Sequence, residues 1–355
     1  MAKQVVVVGG GIVGCLTALN LADKGCQVTL VERNVVAAQT SGESSWAGAG
    51  ILFPLLPWLY KDAVNLLAMA GASMYPALCE RLLTSTGIDP EYTKSGMAIK
   101  PPFDETAAIN WCEKYQIPMQ LAKGVCLHLP TVAQVRPPNL LRALRQMLIQ
   151  QNVTLLENTQ LEPLKNVKNI DGWEANIHAG AGVGSKKVLE ADAFVVTSGA
   201  WSFDLLKETS SGLNIKPMRG QILLFDISQL PAAEISQNSF KQIVYQNGFY
   251  LVPRRDGLLL AGSTLEDVGF NTKTTDEMRQ QLQAKAEAIL PSLKHAAVIK
   301  HWCGLRPGTP DNLPTIAQHS SIKNLYLNTG HFRYGLTMAP ASAARIVALI
   351  VGKVL

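Results

Sequence analysis

The sequence predicts an α/β protein of two domains, or of one large α/β domain with an inserted partner. Three observations predict it. A chain of 355 residues is too long for one ordinary compact core. Its opening segment reads as strand, glycine turn, apolar helix and second strand. Farther on, short β-rich runs at 222–226, 243–246, 249–253 and 258–262 are separated by Gly or Pro and followed by a helical pattern.

The first strand is predicted over Gln4–Val8, a valine run of the kind buried on both faces of a parallel sheet. Gly9-Gly10-Gly11-Ile12-Val13-Gly14 follows, and Leu16, Ala18, Leu19, Leu21 and Ala22 predict a helix that closes at Lys24-Gly25. Gln27–Val31 is the second strand, and Glu32 ends it. In this order the residues have a physical reading. Gly9 permits the tight turn, Gly11 lets the backbone approach a pyrophosphate, and Gly14 lets the helix sit close to the strand. Amides at the helix start then face the phosphates. Glu32 is placed to accept hydrogen bonds from a ribose; an acid there disfavours a 2′-phosphate, leaving NAD and FAD open.

The second half supplies further elements. Met278, Leu282, Ala286 and Leu290 give Asp276–Leu290 helical spacing. Ala344, Val347, Ala348 and Val351 predict a last helix from Met338, with Pro340 in its first turn. Gly180-Ala181-Gly182-Val183-Gly184 is followed by Lys186-Lys187 and a β-like run, which reads as a hairpin turn and not as a second dinucleotide loop.

Composition excludes several classes. A hydrophobic share of 47% and a charged share of 17% describe a folded globular enzyme. A net charge of +5 without a basic stripe gives no nucleic-acid footprint. Cys15, Cys26, Cys79, Cys112, Cys126 and Cys303 show no metal spacing, so no metal is expected, and they read as reduced thiols of a cytoplasmic protein. No secretory signal is expected. The apolar runs at 46–60 and from Met338 read as too short to span a membrane, with Trp46–Tyr60 left as a route to peripheral attachment. A homo-oligomer stays open. There is no G-x-S-x-G elbow, no Walker loop and no H-E-x-x-H helix.

Four segments carry a resemblance. Thr40-Ser41-Gly42-Glu43-Ser44-Ser45-Trp46-Ala47-Gly48-Ala49-Gly50 resembles the hydroxyl-rich loop that wraps flavin and diphosphate in the D-amino acid oxidase superfamily, and within it in the glycine oxidase family. The stretch from Ala191 to Ser202 is similar to the strand and turn by which the chain returns to the cofactor there. Gly304-Leu305-Arg306-Pro307-Gly308-Thr309-Pro310-Asp311 and Asn328-Thr329-Gly330-His331-Phe332-Arg333-Tyr334-Gly335-Leu336-Thr337 resemble its two C-terminal signatures.

The resemblance implies a Rossmann-type FAD-binding domain interwoven with a mixed-sheet α+β substrate-binding domain. The first takes 1–50, 140–212 and 305–355, and the second takes 51–139 and 213–304. The implied cofactor shell begins with Gly9, Gly11, Ile12, Val13, Gly14, Glu32 and Arg33. It continues through Thr40, Ser41, Ser45, Trp46, Ala47, Gly48 and Gly50, with Leu161 at the adenine. Ser198, Gly199 and Trp201 follow, and then Gly330, His331, Phe332, Arg333, Tyr334, Gly335, Leu336 and Thr337.

A small amino acid is a zwitterion, so its site needs a fixed cation for the carboxylate. Arg306 can supply a bidentate fork. The resemblance assigns Arg306 that role, adds Tyr250 as a hydroxyl donor and places Arg333 beside the substrate. It implies hydride transfer from Cα to non-covalent FAD without a dedicated acid–base side chain. An imine then yields glyoxylate and ammonia, with hydrogen peroxide as the other product, in thiamine thiazole biosynthesis. His331 is read as a flavin contact or a structural residue, and amides of the last helix face the flavin. Electrons leave to dioxygen or a diffusible acceptor.

Sarcosine oxidase and D-amino acid dehydrogenase are the nearest rival readings. A tRNA-modifying oxidase and a non-catalytic flavin-binding subunit are more distant ones. The sarcosine branch links its flavin to a cysteine where Gly304 stands here, and Cys303 lies one residue off. Pocket walls are expected from 51–60 and 213–265, with Trp46 and the Pro54–Pro57 segment bringing bulk near the cofactor.

Overall fold

The computed structural model describes residues 2–39, 42–177, 185–231 and 241–352. The chain opens with β1 (Gln4–Val8), α1 (Ile12–Asp23), β2 (Gln27–Val31) and the one-turn α2 (Ser44–Ala47). It continues through α3 (Asp62–Thr86), β3 (Met97–Lys100), α4 (Glu105–Lys114), β4 (Gln120–Ala122) and β5 (Cys126–Leu129). Then come α5 (Pro137–Gln150), β6 (Thr154–Leu156), β7 (Thr159–Leu161), β8 (Trp173–Ile177), β9 (Ser185–Leu189), β10 (Ala193–Val196) and α6 (Ser202–Leu206). The next stretch holds β11 (Lys216–Asp226), β12 (Ile243–Gln246), β13 (Phe249–Pro253), β14 (Leu258–Gly262), α7 (Asp276–Ile289) and β15 (Ala297–Gly308). The described chain ends with β16 (Thr315–Gln318), β17 (Leu325–Thr329) and α8 (Gly335–Val351).

Six strands form one sheet in the order β16-β17-β10-β1-β2-β6, parallel except at β16. The valines of β1 are buried on both faces because both faces are covered. On one side lie α1, α3, α5 and α8, whose apolar residues share a core with Val5 and Val7. On the other, the antiparallel sheet β7-β8-β9 brings Trp173 against Phe194, next to Val6 and Val8.

Eight strands form the second sheet, β15-β11-β14-β13-β12-β3-β5-β4, which is mixed through the one parallel pair β12/β3. One face packs on α7 through Leu282 and Ala286. The other meets α4 through Ala108, Trp111 and Cys112. The register Tyr250↔Gly262 and the pairing of β11 with β15 place Tyr250, Ser263 and Arg306 at one end of this sheet.

The strands expected at 243–246, 249–253 and 258–262 stand where the sequence puts them, and α7 ends one residue early, with Leu290 as its cap. The Gly180–Gly184 turn lies outside the described residues; β8 and β9 on either side pair antiparallel. The last helix departs from its expected start. It begins at Gly335, so Pro340 falls in its second turn. Proline there cannot donate to the Leu336 carbonyl. Tyr75 from α3 does so instead, its hydroxyl donating to Leu336 O at 2.6 Å.

With its preceding turn this last run covers Phe332–Val351, long and apolar enough by length and composition to cross a membrane, contrary to the shorter reading from sequence. Its inner face is used differently: Ala339, Ala343, Ile346, Val347 and Ile350 join the core with α1. All six cysteines are free.

Candidate active site

A cavity of about 350 Å³ runs from the carboxyl ends of β1 and β2 to the end of the eight-stranded sheet that carries Tyr250 and Arg306. Strand ends that open where neighbouring connections diverge are where doubly wound sheets leave room for a ligand. Gly9, Gly11, Ile12, Val13, Glu32 and Arg33 line its near end. A side chain at Gly9 would run into Ser198, since an added Cβ would stand 2.8 Å from the Ser198 Cα. Gly14 stands behind this wall. A Cβ there would lie 1.8 Å from the Gly9 carbonyl, so Gly14 serves the close contact of helix with strand.

Glu32 accepts from the Gly10 amide at 2.7 Å and the Asn34 amide at 3.0 Å. Burial raises its pKa, and these two bonds oppose the rise. The Ile12 amide donates to Ser45 Oγ at 3.0 Å, pinning the loop to the helix start, and no side chain of Gly11 can cap the remaining amides. Arg33 lies over the Trp201 ring at 3.7 Å, and Trp201 stacks on Phe270. Ser198, Gly199, Trp201 and Leu161 also reach the cavity.

The expected loop residues divide. Ser45, Gly48 and Gly50 line the cavity, whereas Thr40 and Ser41 lie outside the described residues. Trp46 and Ala47 do not line it. Trp46 faces away to stack on Trp302 at 6.0 Å, and Trp302 Nε1 donates to the Ala47 carbonyl, so Trp46 brings no bulk to the pocket. Ile51, Phe53 and Leu55 are the wall residues of the 51–60 segment, while Pro54 and Pro57 stay out of it.

At the far end His331, Phe332, Arg333, Tyr334, Gly335, Leu336 and Thr337 line the wall. Gly330 does not; at φ 84° it sets the turn beneath them, beside Thr309. His331 is enclosed, and burial pushes its pKa down to about 3. Its Nε2 has no partner among the described residues. The imidazole is therefore neutral at any working pH.

Arg306 sits on β15, half-buried on the cavity wall. Its Nη1 donates to the Thr264 carbonyl at 3.1 Å and its Nη2 to Ser263 Oγ at 2.8 Å. Burial lowers its pKa, the nearby Tyr250 opposes that, and Arg333 adds to it. Tyr250 and Arg333 line the same cavity. Three residues far apart in sequence are thus brought to one wall, and its charge is positive.

Sequence reasoning missed part of the lining. Thr159, Gln160 and Pro163 enter with β7, and Ser263 and Pro307 flank Tyr250 and Arg306. Thr197 bonds both the Val8 and Gly9 carbonyls at 2.9 Å, tying β10 to the glycine turn. No motif marks β7. Ser263 was reachable, because it follows the strand that pairs with the one carrying Tyr250.

The residues fit a flavin dinucleotide: free amides at a helix start suit the diphosphate, Glu32 has lone pairs left for a ribose, and Val31 and Leu161 offer apolar surface. Gly304 leaves no place for a linking side chain on its strand. A Cβ there would stand 2.7 Å from the Ala47 Cβ, and Cys303 turns away to donate to the Thr272 carbonyl.

Comparisons with known proteins agree with this geometry. Residues 4–349 match the family model described as FAD dependent oxidoreductase (DAO). The glycine oxidase of Pseudomonas putida is 38% identical over 99% of this chain and 95% of its own length. The bifunctional protein ThiO/ThiG of Trichormus variabilis is 29% identical over 99% of this chain and 53% of its own. The crystal structure of glycine oxidase from Bacillus cereus superposes with a TM-score of 0.84 at 24% identity, covering 99% of this chain and 96% of that one.

Proposed function

The chain belongs to the DAO family of FAD dependent oxidoreductases, and we propose that it oxidises the carbon–nitrogen bond of glycine or a related small amino acid. The observation that carries this reading is the half-buried Arg306 beside Tyr250 on the cavity wall. A cation facing a cavity with no carboxylate bonded to it is matched by a ligand that brings one. Arg306 would take the substrate carboxylate, Tyr250 would donate to it, and Arg333 would stand at the same wall.

The glycine turn, Glu32, the 45–50 loop, Leu161 and the 331–337 turn would hold FAD without a covalent bond. When bound, the flavin would supply a two-electron oxidation of the amino acid at Cα, with dioxygen as the final acceptor and hydrogen peroxide as its product. Arg306 and Tyr250 orient the amino acid so that the Cα–H bond is the one exposed to oxidation. The resulting imine is hydrolysed by water to glyoxylate and ammonia. Neutral His331 takes up no proton in this scheme. The relatives named ThiO/ThiG support a place in thiamine biosynthesis, and we assign the enzyme to the cytoplasm from its free thiols.

We assign 1–50, 140–212 and 305–355 to the cofactor domain and 51–139 and 213–304 to the substrate domain. Sheet membership supports this, since all six strands of the first sheet fall in the first set; only β15 and helix α5 run across a boundary of the second.

The test is peroxide and glyoxylate release from the purified protein on glycine, sarcosine, D-alanine and a neutral amine, repeated for Arg306→Ala. Loss of an ion pair to the carboxylate should lower kcat/KM for glycine about a hundredfold, with Arg306→Lys recovering part. Turnover of the neutral amine above glycine, or equal losses for both, sinks the reading.

A further inference from the structure

Arg254 follows β13 directly and spends its guanidinium on neutral acceptors. Nη1 donates to Gln134 Oε1 at 2.6 Å and to the Val135 carbonyl at 3.0 Å, and Nη2 donates to the Ala49 carbonyl at 2.7 Å. The nearby acids Glu91 and Asp256 pair with Arg136 instead. Burial pulls the Arg254 pKa down to about 10, with Arg136 adding to the effect. A half-buried cation bonded only to neutral acceptors gains little from its charge, so its placement asks for a reason.

The reason lies in what its acceptors border. Ala49, Gly50 and Ile51 line the cavity. Every carbonyl of the three is tied on the protein side: Ala49 O to Arg254, Gly50 O to the Val135 amide at 2.9 Å, and Ile51 O to Thr337 Oγ1 at 3.1 Å. In a trans peptide the N–H points opposite to the carbonyl. The Gly50 and Ile51 amides therefore turn toward the cavity, and no described residue accepts from them. Gly50 has φ 76°, and a Cβ there would lie 2.0 Å from the Val135 carbonyl, the same oxygen that Arg254 holds.

We propose that Arg254 is a positioning residue of the flavin site, which aims the Gly50 amide into the cavity and raises the electron affinity of the bound flavin through its fixed charge. A cation bonded to a peptide carbonyl polarises that peptide, so its N–H becomes the stronger donor. Donors and charge preorganised beside a group that gains electrons favour the reduced form. The inference needs the flavin alone and not the identity of the amine.

The test uses the FAD-loaded protein and no amine. Sulfite affinity of the flavin and its midpoint potential by dye equilibration are compared in the wild type, Arg254→Met, Arg254→Lys and Arg136→Met. Arg254→Met should weaken sulfite binding at least tenfold and lower the potential by about 30 mV, which is tenfold for a two-electron couple. Arg254→Lys keeps the charge but not the fork and should lose about threefold. Arg136→Met removes an equal charge that touches no cavity wall and should change neither reading. Arg254→Met with unchanged sulfite affinity and potential overturns the proposal, even where its melting temperature falls, because a purely structural role predicts that result. Where Arg254→Met retains no flavin, the Arg254→Lys readings decide in the same way. Glycine turnover is untouched by these measurements, so either reading can fail alone.

Discussion

Gly220 offers a perturbation that separates stability from substrate recognition. The Arg306 guanidinium lies across β11 at this position, and a Cβ on residue 220 would stand 2.2 Å from Nη1, 2.3 Å from Nη2 and 2.4 Å from Cζ. Ordinary contact requires about 3.5 Å, so in Gly220→Ala the guanidinium must withdraw by roughly 1 Å. The clash is with the end of a flexible side chain and not with backbone. Unfolding free energy should fall by only about 1–3 kcal/mol, from the bonds to Thr264 and Ser263 that stretch, offset in part by the lost chain freedom of glycine. Recognition should suffer far more. A misplacement of that size in a positioning group lowers kcat/KM by roughly a hundredfold, or about 2.7 kcal/mol. The assay is peroxide release with glycine, with acetate as a competing carboxylate and flavin content measured in the same samples. Acetate inhibition should weaken with glycine turnover, while bound FAD stays constant. Unchanged glycine kinetics and acetate inhibition in a folded, flavin-loaded Gly220→Ala would refute the placement of Arg306 as the carboxylate anchor.

Four further outcomes follow from the site. Glu32→Ala should weaken FAD binding by about 1.5–3 kcal/mol, read as flavin lost on dialysis. Acid precipitation should release all flavin as FAD, because Gly304 has no room for a link; colour left in the pellet contradicts this. Gly50→Ala forces a side chain against the Val135 backbone at φ 76° and should destabilise by about 3 kcal/mol or more, seen in urea denaturation. His331, pushed from an ordinary 6.5 to about 3, gives a pH window. Above pH 6.5 neither state is protonated and its contribution is complete. Between 6.5 and 3 only the unfolded chain takes up the proton, so stability is lost as pH falls, by about 2 kcal/mol at pH 5. A His331→Asn protein with the same acid slope would show that another group titrates.

Local chemistry was legible and distant contacts were not. Strands β1 and β2 and helix α1 stand where the valines, glycines and leucines put them, because each is set by its own neighbours. β12, β13 and β14 are bounded by Gly and Pro in the same local way. By contrast β11 and β15 run 11 and 12 residues through Pro217, Gly220, Gly304 and Pro307, which read as breaks in sequence. Pairing along the whole length, from Lys216↔Gly308 to Asp226↔Ala297, overrides them. Helix α3 passes through Pro76, which hid it, and the start of α8 depends on a tyrosine 261 residues away. Trp46 carried a loop signal, but it lies in α2 and its partner Trp302 lies on β15, more than 200 residues on, so its direction had no local cause.

The candidate site was read in part from glycines, and the structure shows why glycines are informative about position but not about role. Gly9 and Gly11 line the cavity, where backbone without a side chain can approach a ligand directly. Gly14, Gly71 and Gly304 are instead consumed by contacts between elements: a Cβ would meet the Gly9 carbonyl at 1.8 Å, the Thr337 carbonyl at 2.1 Å and the Ala47 Cβ at 2.7 Å. These contacts draw α1 onto β1, α3 onto α8 and β15 onto α2. Two of the pairs join segments more than 200 residues apart, so no window of sequence contains both partners. The parallel bridge Gly42↔Gly304 adds a third such closure, beside the loop that carries Ser45 and Gly48. The cavity is therefore bounded by excursions of the chain that glycine lets press together at these seams. Its walls are fixed by the seams, and its chemistry is fixed by the few side chains, Glu32, Tyr250, Arg306 and Arg333, that the seams leave facing inward.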